Sequence, residues 1–278
     1  MSEGLKKRPV PYYLSAAERS CSRTLYEEVF REDSRKFVDY YYQYKVRDNQ
    51  ILAIREDGQL VSMLHLNPYQ MVINGYEVKS NYLVAVATQK KYRHRGYMRM
   101  LLEKALRDMS CMGMPFTFLM PASESIYAPY DFVWICPHTS VPRRVEQMKA
   151  EEQNRYLAAR YQLFCKRDRK YMEDHRAERM AEEGEKPLNK VPPYMARITD
   201  LCQMLRLVGS RQDGKCYLRV KDSVIDKNNG YFLWETSRGQ VVAEKLRDRP
   251  ERLDMDLTIG ELASVVFGSL KCCLSELV

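Results

Sequence analysis

The sequence predicts an α/β protein whose first half is a mixed sheet flanked by helices. Two patterns of helical period precede residue 50, and the period then changes to that of strands separated by short turns. The run Leu83–Ala87 is apolar on both faces, as in a central strand, and leads through a basic turn with one glycine into an amphipathic helix. This alternation is typical of a layered α/β domain, here placed at residues 1–140.

Capping and turn residues set the limits of the first elements. Ser15 precedes Glu18 by three residues, the spacing of a capping box, and Ser34 can cap a second helix. Asn74-Gly75 is a strong hairpin signal. Pro68 is expected to interrupt the second strand. The strands predicted in this domain are Gln50–Arg55, Gln59–Leu66, Gln70–Ile73, Tyr76–Thr88, Phe116–Met120 and Phe132–Cys136.

The composition changes at Pro142. Residues 141–190 are rich in Arg, Lys and Glu and show no β pattern, which predicts a basic connecting segment of one or two long helices. Residues 191–278 read as a small α+β domain. Its first helix is capped by Thr199 or Asp200, and later strands are separated by turns, with a short helix ending near Phe267.

Charge and cysteine content exclude several classes of site. The chain of 278 residues has a formal net charge of +8, which is compatible with an anionic ligand. Its eight cysteines form no C-x-x-C pair and do not cluster with the four histidines, so we expect reduced thiols and no metal site. No secretory signal or membrane-length apolar run is present, and a cytoplasmic location is expected.

The basic turn between residues 90 and 98 predicts a phosphate site. Backbone N–H groups at a helix start, with the positive end of the helix, favour an anion. The turn contains one glycine, Gly96, so it is neither a Walker loop nor a dinucleotide fingerprint. Its single glycine and its cations fit one pyrophosphate.

This turn resembles the acyl-CoA loop of GNAT-type N-acetyltransferases, [QR]-x-x-G-x-[GA]. Arg93 and Gly96 match the pattern, and Met98 replaces the small last residue. Further segments resemble the Eis-like (enhanced intracellular survival) acetyltransferases and their sterol-carrier-protein-like last domain. That family usually has a second GNAT-like domain where this chain has its basic segment. The resembling segments are Ala122–Phe132, Pro193–Ile198, Asp226–Gly230, Leu257–Gly268 and Leu274–Val278.

The resemblance implies an acetyl-CoA-dependent N-acetyltransferase that acts on a primary amine without a metal. Tyr127 takes the position of the general acid, and the main-chain carboxylate of Val278 takes that of the general base. His65 could line the cleft from its strand, while Glu27, Tyr41 and Glu276 could contact the acceptor. The expected donor-binding residues are Val84, Ala85, Val86, Lys91, Arg93, His94, Arg95, Gly96, Tyr97, Met98 and Ser123.

Two other functions compete with this interpretation. A non-catalytic acyl-CoA or lipid-binding protein would leave Tyr127 and Val278 without a chemical role. A nucleic-acid binder would use the basic helices, but the acidic residues mixed among their cations favour a solvated surface. The expected partner is therefore a small-molecule amine or a lysine-bearing substrate. The oligomeric state is open, with a homo-oligomer as one option.

Overall fold

The computed structural model describes residues 9–182, 191–209 and 213–278. Within these ranges the strands form a nine-stranded and a four-stranded sheet. The start of the chain adds strand β1 (Tyr12–Tyr13), helix α1 (Ser22–Val29) and helix α2 (Arg35–Tyr40), which continues as a π-helical turn at Tyr41–Lys45. The predicted Ser34 cap is confirmed, because its side chain accepts from the N–H of Phe37. The predicted Ser15 cap is wrong: Ser15 and Glu18 close a turn, in which Ser15 donates from N and Oγ to Glu18, and the helix begins only at Ser22.

A meander of three antiparallel strands forms the centre of the large sheet: β2 (Gln50–Glu56), β3 (Gln59–Ile73) and β4 (Tyr76–Thr88). The predicted hairpin is confirmed. Asn74 and Gly75 have φ of 48° and 86°, the pair of positive angles that a tight type I′ turn needs.

The predicted break at Pro68 is wrong, because β3 runs through it. Pro68 lies opposite Asn81 of β4, and its other side falls between two partners of β3. Strand β2 ends its pairing at Leu66, and the next neighbour begins at Met71. The missing N–H therefore faces a gap in the ladder and removes no hydrogen bond.

Helix α3 (Tyr97–Cys111) follows β4 and packs on the sheet through Leu101, Leu102 and Ala105, which are buried as predicted. Strand β5 (Phe116–Leu119) returns parallel to β4. The short helix α4 (Glu124–Tyr127) and strand β6 (Val133–Cys136) complete the first half of the chain.

Up to Glu182, the described part of the connecting segment contains three helices and one strand: α5 (Arg143–Glu146), α6 (Ala150–Ala158), β7 (Leu163–Cys165) and α7 (Arg169–Glu182). The prediction that it holds only long helices is wrong at β7, which pairs antiparallel with Met71–Ile73 of β3. Three residues are too few to show a strand period, and their pairing depends on a distant partner. Residues 183–190 of the predicted linker lie outside the described ranges.

Strand β8 (Tyr194–Ile198) lies in the large sheet, between β5 and β6 and antiparallel to both. The sequence places these residues at the beginning of the last domain. The sheet order β1-β2-β3-β4-β5-β8-β6 therefore places a strand from the last third of the chain among strands from its first half. Between β8 and β6 the register shifts at Trp134–Cys136.

The remaining residues form the small sheet and its helices. Helix α8 (Leu201–Val208) is capped by Asp200, as predicted, through the N–H of Gln203. The small sheet has the order β11-β10-β9-β12, and helix α9 (Ile259–Gly268) packs against β6 and β8. Its strands are β9 (Gly214–Lys221), β10 (Gly230–Ser237), β11 (Gln240–Leu246) and β12 (Met255–Thr258).

A buried ion pair connects the two sheets. Arg197 of β8 donates to Asp222 at 2.5 Å, and both side chains are fully buried. The same guanidinium donates to the carbonyl of Tyr130 at 2.8 Å, just after α4. Asp222 also accepts from the N–H groups of Val224 and Ile225. One arginine thus fixes the end of the α4 turn to the last domain.

The end of the chain returns to the large sheet. Strand β13 (Cys272–Cys273) pairs parallel with β7, and Leu274 forms a bridge with His138, two residues after β6. The last strand therefore lies between β7 and the end of β6, and it directs residues 275–278 into the space enclosed by these strands.

Candidate active site

Strand β4 separates from β5 at the centre of the sheet. The parallel pairing of β4 with β5 covers only Tyr82 and Leu83, whereas β4 continues to Thr88. Ala85, just past the separation, has a φ of 50°, and the register with β3 shifts near His65. The predicted donor-binding residues 84–86 therefore lie where one side of β4 has lost its strand partner.

The loop after β4 leads directly into α3. Lys90–Tyr92 form a 3-10 turn, and Gly96 then has a φ of 80° as the residue before the helix. The first described bond of the helix runs from Met100 N to Gly96 O at 3.0 Å. The N–H groups of the first turn thus have no partner further back in the helix and can bind an anion.

The cations of this loop are exposed, and none of them is paired with a carboxylate in the described part of the chain. Arg93 donates to the carbonyl of Thr88 at 3.2 Å, and Arg95 donates to that of Lys91 at 3.2 Å. Among the described residues, the side chains of Lys91, Arg93 and Arg95 form no ion pair with an acidic side chain. A Cβ built on Gly96 meets nothing within 4 Å, so the space above the glycine is open.

The other loop residues have mixed roles. Tyr97 is buried and donates from its hydroxyl to Glu56, which anchors the start of α3. Met98 is half-buried against the main core, and His94 is exposed with a φ of 62°. Ser123 precedes α4 and is exposed, with its hydroxyl 2.9 Å from that of Ser125.

Tyr127 is the last residue of α4 and is 7% exposed. Its ring lies edge-on to Phe132 with centroids 5.8 Å apart. Its hydroxyl has no hydrogen-bond partner among the described residues, and burial raises the pKa of Tyr127 to about 12. The phenol therefore stays protonated at neutral pH, with its proton free to be donated.

Three tyrosines of the large sheet, from β3, β4 and β8, hold the last three residues of the sequence. Tyr194 of β8 donates to the carbonyl of Glu276 at 2.5 Å, and Tyr82 of β4 donates to that of Leu277 at 3.2 Å. Tyr69 of β3 donates to the main-chain oxygen of Val278 at 2.5 Å. Sequence reasoning missed all three donors. The chain's high tyrosine content was the only signal.

Val278 is buried beside the separation point of β4. Its side chain is 6% exposed and belongs to one apolar cluster with Ala85 of β4 and Ala181 of α7. Tyr69, which binds its main-chain oxygen, also accepts from Lys45 Nζ at 2.7 Å. The structure thus brings the predicted base to the strand that is expected to hold the acyl group.

Glu276 is buried and already paired. Its Oε1 accepts from Arg167 at 2.9 Å and from the hydroxyl of Tyr171 at 2.8 Å. Desolvation raises the pKa of Glu276, but the Arg167 charge and the hydrogen bonds outweigh it and hold the pKa below its usual value. The carboxylate fixes the tail in place and has little capacity left for an acceptor.

His65 and Tyr41 lie in one fully buried polar cluster. The hydroxyl of Tyr41 is 3.0 Å from Nδ1 of His65, and Asn49 donates to Asn67 at 3.0 Å beside them. Burial lowers the pKa of His65 to about 3, so the imidazole is neutral. Its Nε2 has no partner among the described residues. Glu27, by contrast, is exposed on α1 and pairs with Arg23 at 2.7 Å.

The described residues show neither a cluster of metal-binding side chains nor a helix that could span a membrane. In the ranges 9–182, 191–209 and 213–278, no group of three or more His, Cys, Asp or Glu side chains is placed to hold a metal ion. No helix in the same ranges combines the length and the apolar character needed to cross a membrane.

Two family models match the chain. Residues 13–135 match the acetyltransferase (GNAT) domain, and residues 201–272 match the sterol carrier protein domain. No curated protein matches the chain in sequence.

Several solved structures share the fold along most of the chain. A probable N-acyltransferase from Enterococcus faecalis V583 is 14% identical with a TM-score of 0.67, covering 92% of this chain and 89% of the other. A GCN5-related N-acetyltransferase from Anabaena variabilis has the same identity and coverages and a TM-score of 0.64. Eis1 from Mycobacterium abscessus is 13% identical with a TM-score of 0.61, covering 93% and 89%.

At these identities the structural similarity establishes the fold, and the domain models place it along the chain. The mixed sheet of the first half is the GNAT fold, and the small sheet belongs to a sterol-carrier-like domain. The predicted fold class is confirmed: the chain joins an acetyltransferase (GNAT) domain at residues 13–135 to a sterol carrier protein domain at residues 201–272.

Proposed function

We propose that this protein is an acetyl-CoA-dependent N-acetyltransferase that moves an acetyl group directly to a primary amine, in the manner of the Eis-like enzymes. The observation that carries the proposal is the open edge of β4 beyond Leu83, and two buried groups support it. These are the phenol of Tyr127 and the main-chain oxygen of Val278.

The donor side follows from the loop before α3. The exposed cations Lys91, Arg93 and Arg95 and the first-turn N–H groups of α3 fit a pyrophosphate, with Gly96 leaving the space above the loop open. The edge of β4 at residues 84–86 offers backbone groups to an extended amide-containing arm. Acetyl-CoA would supply a thioester, whose carbonyl carbon accepts the amine.

Tyr127 is the proposed general acid. The C–S bond breaks as the C–N bond forms, and the leaving sulfur takes the phenolic proton. A simple thiol has a pKa of about 8.5, below that of the buried phenol. Burial beside Tyr127 also destabilises a thiolate, however, which favours transfer of the proton to sulfur.

The proposed general base is the main-chain carboxylate of Val278 as the last residue of the sequence. An alkylamine with a pKa near 10.4 is mostly protonated at neutral pH and must lose a proton before it attacks. A buried carboxylate at this position takes that proton, while Tyr69 orients one of its oxygens from 2.5 Å. His65 is a weaker candidate because burial lowers its pKa to about 3, which makes it a poor proton acceptor, and Glu276 is weaker because it is already paired with Arg167.

The acceptor, the domain limits and the cellular location are parts of the same proposal. A small amine or a lysine side chain suits the chemistry as the acceptor. We keep the proposed domain limits at residues 140 and 190, with strand β8 belonging to the large sheet although it lies in the last segment of the chain. The eight cysteines are free thiols, which is compatible with a reducing cytoplasm. A homo-oligomer is one option for the oligomeric state.

The test measures acetyl-CoA turnover with a panel of primary amines. It compares the chain that ends at Val278 with a version that carries several additional residues after Val278. We expect the unextended chain to acetylate an amine and the extended version to have a kcat at least a hundredfold lower, while both bind acetyl-CoA. Equal turnover would reject the terminal carboxylate as base. Binding of acetyl-CoA without turnover of any amine would instead favour a non-catalytic acyl-CoA-binding protein.

A further inference from the structure

A small cavity lies beside the tail, between β3, the π-helical turn at Tyr41–Lys45, and α7. Its volume is about 70 Å³, and its lining includes Tyr69, Glu276 and the α7 residues Asp174 and Glu178. Since roughly 10–15 Å³ of such space holds one water molecule, the cavity can take an ammonium group with a short alkyl chain.

The face of α7 that lines this cavity is acidic where a packed helix is normally apolar. The buried residues of α7 are Asp174, Glu178 and Ala181, at the spacing of one helix face. This face packs toward α2 and its π-helical extension. A carboxylate in such a position costs free energy unless a cation or a donor compensates it.

Most carboxylates around the cavity already have such a partner, and Glu178 is the exception. The side chain of Glu178 is 8% exposed. Its Oε2 lies 3.4 Å from Nδ1 of His175, and its Oε1 has no partner among the described residues. The other four lining carboxylates are compensated as follows: Glu276 by Arg167 and Tyr171, Asp174 by Lys170, Asp48 by Arg47, and Asp168 by the N–H of Tyr171.

None of the three lysines that line the cavity fills this gap, because Lys166 pairs with Glu77 and Lys170 pairs with Asp48 and Asp174. The ammonium of Lys45 donates to the hydroxyl of Tyr69 at 2.7 Å. Burial lowers the pKa of Lys45, and the charges of Glu178 and Asp174 act against that shift without forming a direct ion pair with it. The free oxygen of Glu178 is therefore left for a cation that enters from outside.

Glu178 lies close to the proposed reaction centre. Ala181, less than one turn further along the same helix face, shares an apolar cluster with Val278 and Ala85. Tyr69 separates the cavity from Val278 by the thickness of one side chain. Burial and then the charges of Glu276 and Glu178 raise the pKa of Tyr69, which agrees with this proximity.

We propose that Glu178 binds an amino group of the acceptor other than the one that is acetylated, so that the acceptor is a small aliphatic diamine. This inference rests on the proposed function, since the second amino group must reach Val278. The carboxylate holds one end as an ammonium ion, and the other end loses its proton and attacks the thioester.

The first test compares 1,4-diaminobutane with butylamine as acceptors for the full chain. The wild type should show a KM for the diamine about ten- to a hundredfold lower than for the monoamine, as expected for one charged hydrogen bond. Glu178→Gln should remove this preference by raising only the diamine KM, and Glu178→Asp should restore part of it. The matched control is Glu173→Gln, which removes an exposed carboxylate paired with Arg169 on the same helix. Equal KM values for the two amines, or equal loss for both in Glu178→Gln, would overturn the proposal.

The second test measures binding of 1,4-diaminobutane by calorimetry, without turnover. Wild type and Glu173→Gln should bind it, and Glu178→Gln should bind at least tenfold more weakly while melting normally. If this pattern appears but no amine is acetylated, the cation site stands and the proposed function fails. If amines are acetylated but neither test depends on Glu178, the function stands and this inference fails. If the diamine neither binds nor reacts, the inference fails as well.

Discussion

The hydroxyl of Tyr69 lies 2.5 Å from the main-chain oxygen of Val278, although 209 positions separate the two residues in sequence. This bond fixes the last residue against the central meander of the acetyltransferase sheet. The same hydroxyl accepts a hydrogen bond from Lys45, so Tyr69 connects the buried side chain of Lys45 to the proposed base. The position and the basicity of Val278 should therefore both depend on Tyr69.

Tyr69→Phe removes the donor to Val278. We expect kcat to fall about tenfold, and the acidic limb of its pH profile to move to higher pH, because a carboxylate that loses a hydrogen bond has a higher pKa. Tyr82→Phe is the control, since its hydroxyl binds Leu277 instead. It should cost comparable stability and leave that limb in place. A shift of equal size in both variants would mean that Tyr69 has only a structural role.

Tyr127→Phe removes the proposed acid and keeps the ring against Phe132. We expect kcat to fall about a hundredfold or more, with acetyl-CoA affinity unchanged, because the phenol is needed only as sulfur leaves. Steady-state kinetics and equilibrium binding separate the two quantities. Tyr130→Phe, in the same turn, controls for a lost hydroxyl. A Tyr127→Phe enzyme as fast as the wild type would reject the acid role.

Gly96→Val should weaken binding of acetyl-CoA. At a φ of 80°, a β-branched residue is strained, and its side chain projects into the open space above the loop. We expect the KM for acetyl-CoA to rise tenfold or more, by about 1.4 kcal/mol for each factor of ten. Gly113→Val imposes similar strain at a φ of 71° at the far end of α3. It should lower stability without changing that KM, and equal KM effects would contradict a phosphate-binding loop.

His65 should make the protein sensitive to acid. Burial lowers its pKa from 6.5 to about 3, so the folded state binds the proton less readily than the unfolded state. Above pH 6.5 the imidazole is neutral in both states and does not lower the free energy of unfolding. As pH falls from 6.5 toward 3, the unfolded state takes up the proton and the free energy of unfolding decreases. Denaturant unfolding across this range should show a loss of a few kcal/mol. His65→Gln should flatten that part of the curve, and an unchanged slope would contradict this origin.

Arg197→Met leaves the carboxylate of Asp222 buried without its cation. We expect the free energy of unfolding to fall by about 3–5 kcal/mol. The double variant with Asp222→Asn should be less destabilised than the sum of the single variants, because the unpaired charge is then absent. Chemical denaturation of the four proteins measures the coupling. Additive losses would mean that the pair does not join the two sheets energetically.

Local signals in the sequence predicted the elements that local chemistry decides. The Asn74-Gly75 hairpin, the Ser34 cap and the full extent of β4 follow from turn angles, capping and period, and all three are confirmed. The GNAT fold followed from one basic turn in its strand-to-helix context. The roles assigned to Tyr127 and Val278 stay predictions, although both residues are buried.

Long-range pairing accounts for what the sequence did not show. Strand β7 is three residues long and exists through its partners, and Pro68 continues β3 only because a gap in the ladder faces it. The tyrosines that bind the tail and the unpaired oxygen of Glu178 are likewise defined by residues far away in the chain. No period or motif within a segment encodes such contacts.

The position of β8 between β5 and β6 sets an order of events during synthesis. Until Tyr194–Ile198 leave the ribosome, β6 has no neighbour and β5 presents a bare edge, which is a surface prone to wrong association. Strand β13 and the tail must come later still. An excised fragment of residues 1–140 should therefore aggregate, because it lacks the strand that lies between β5 and β6.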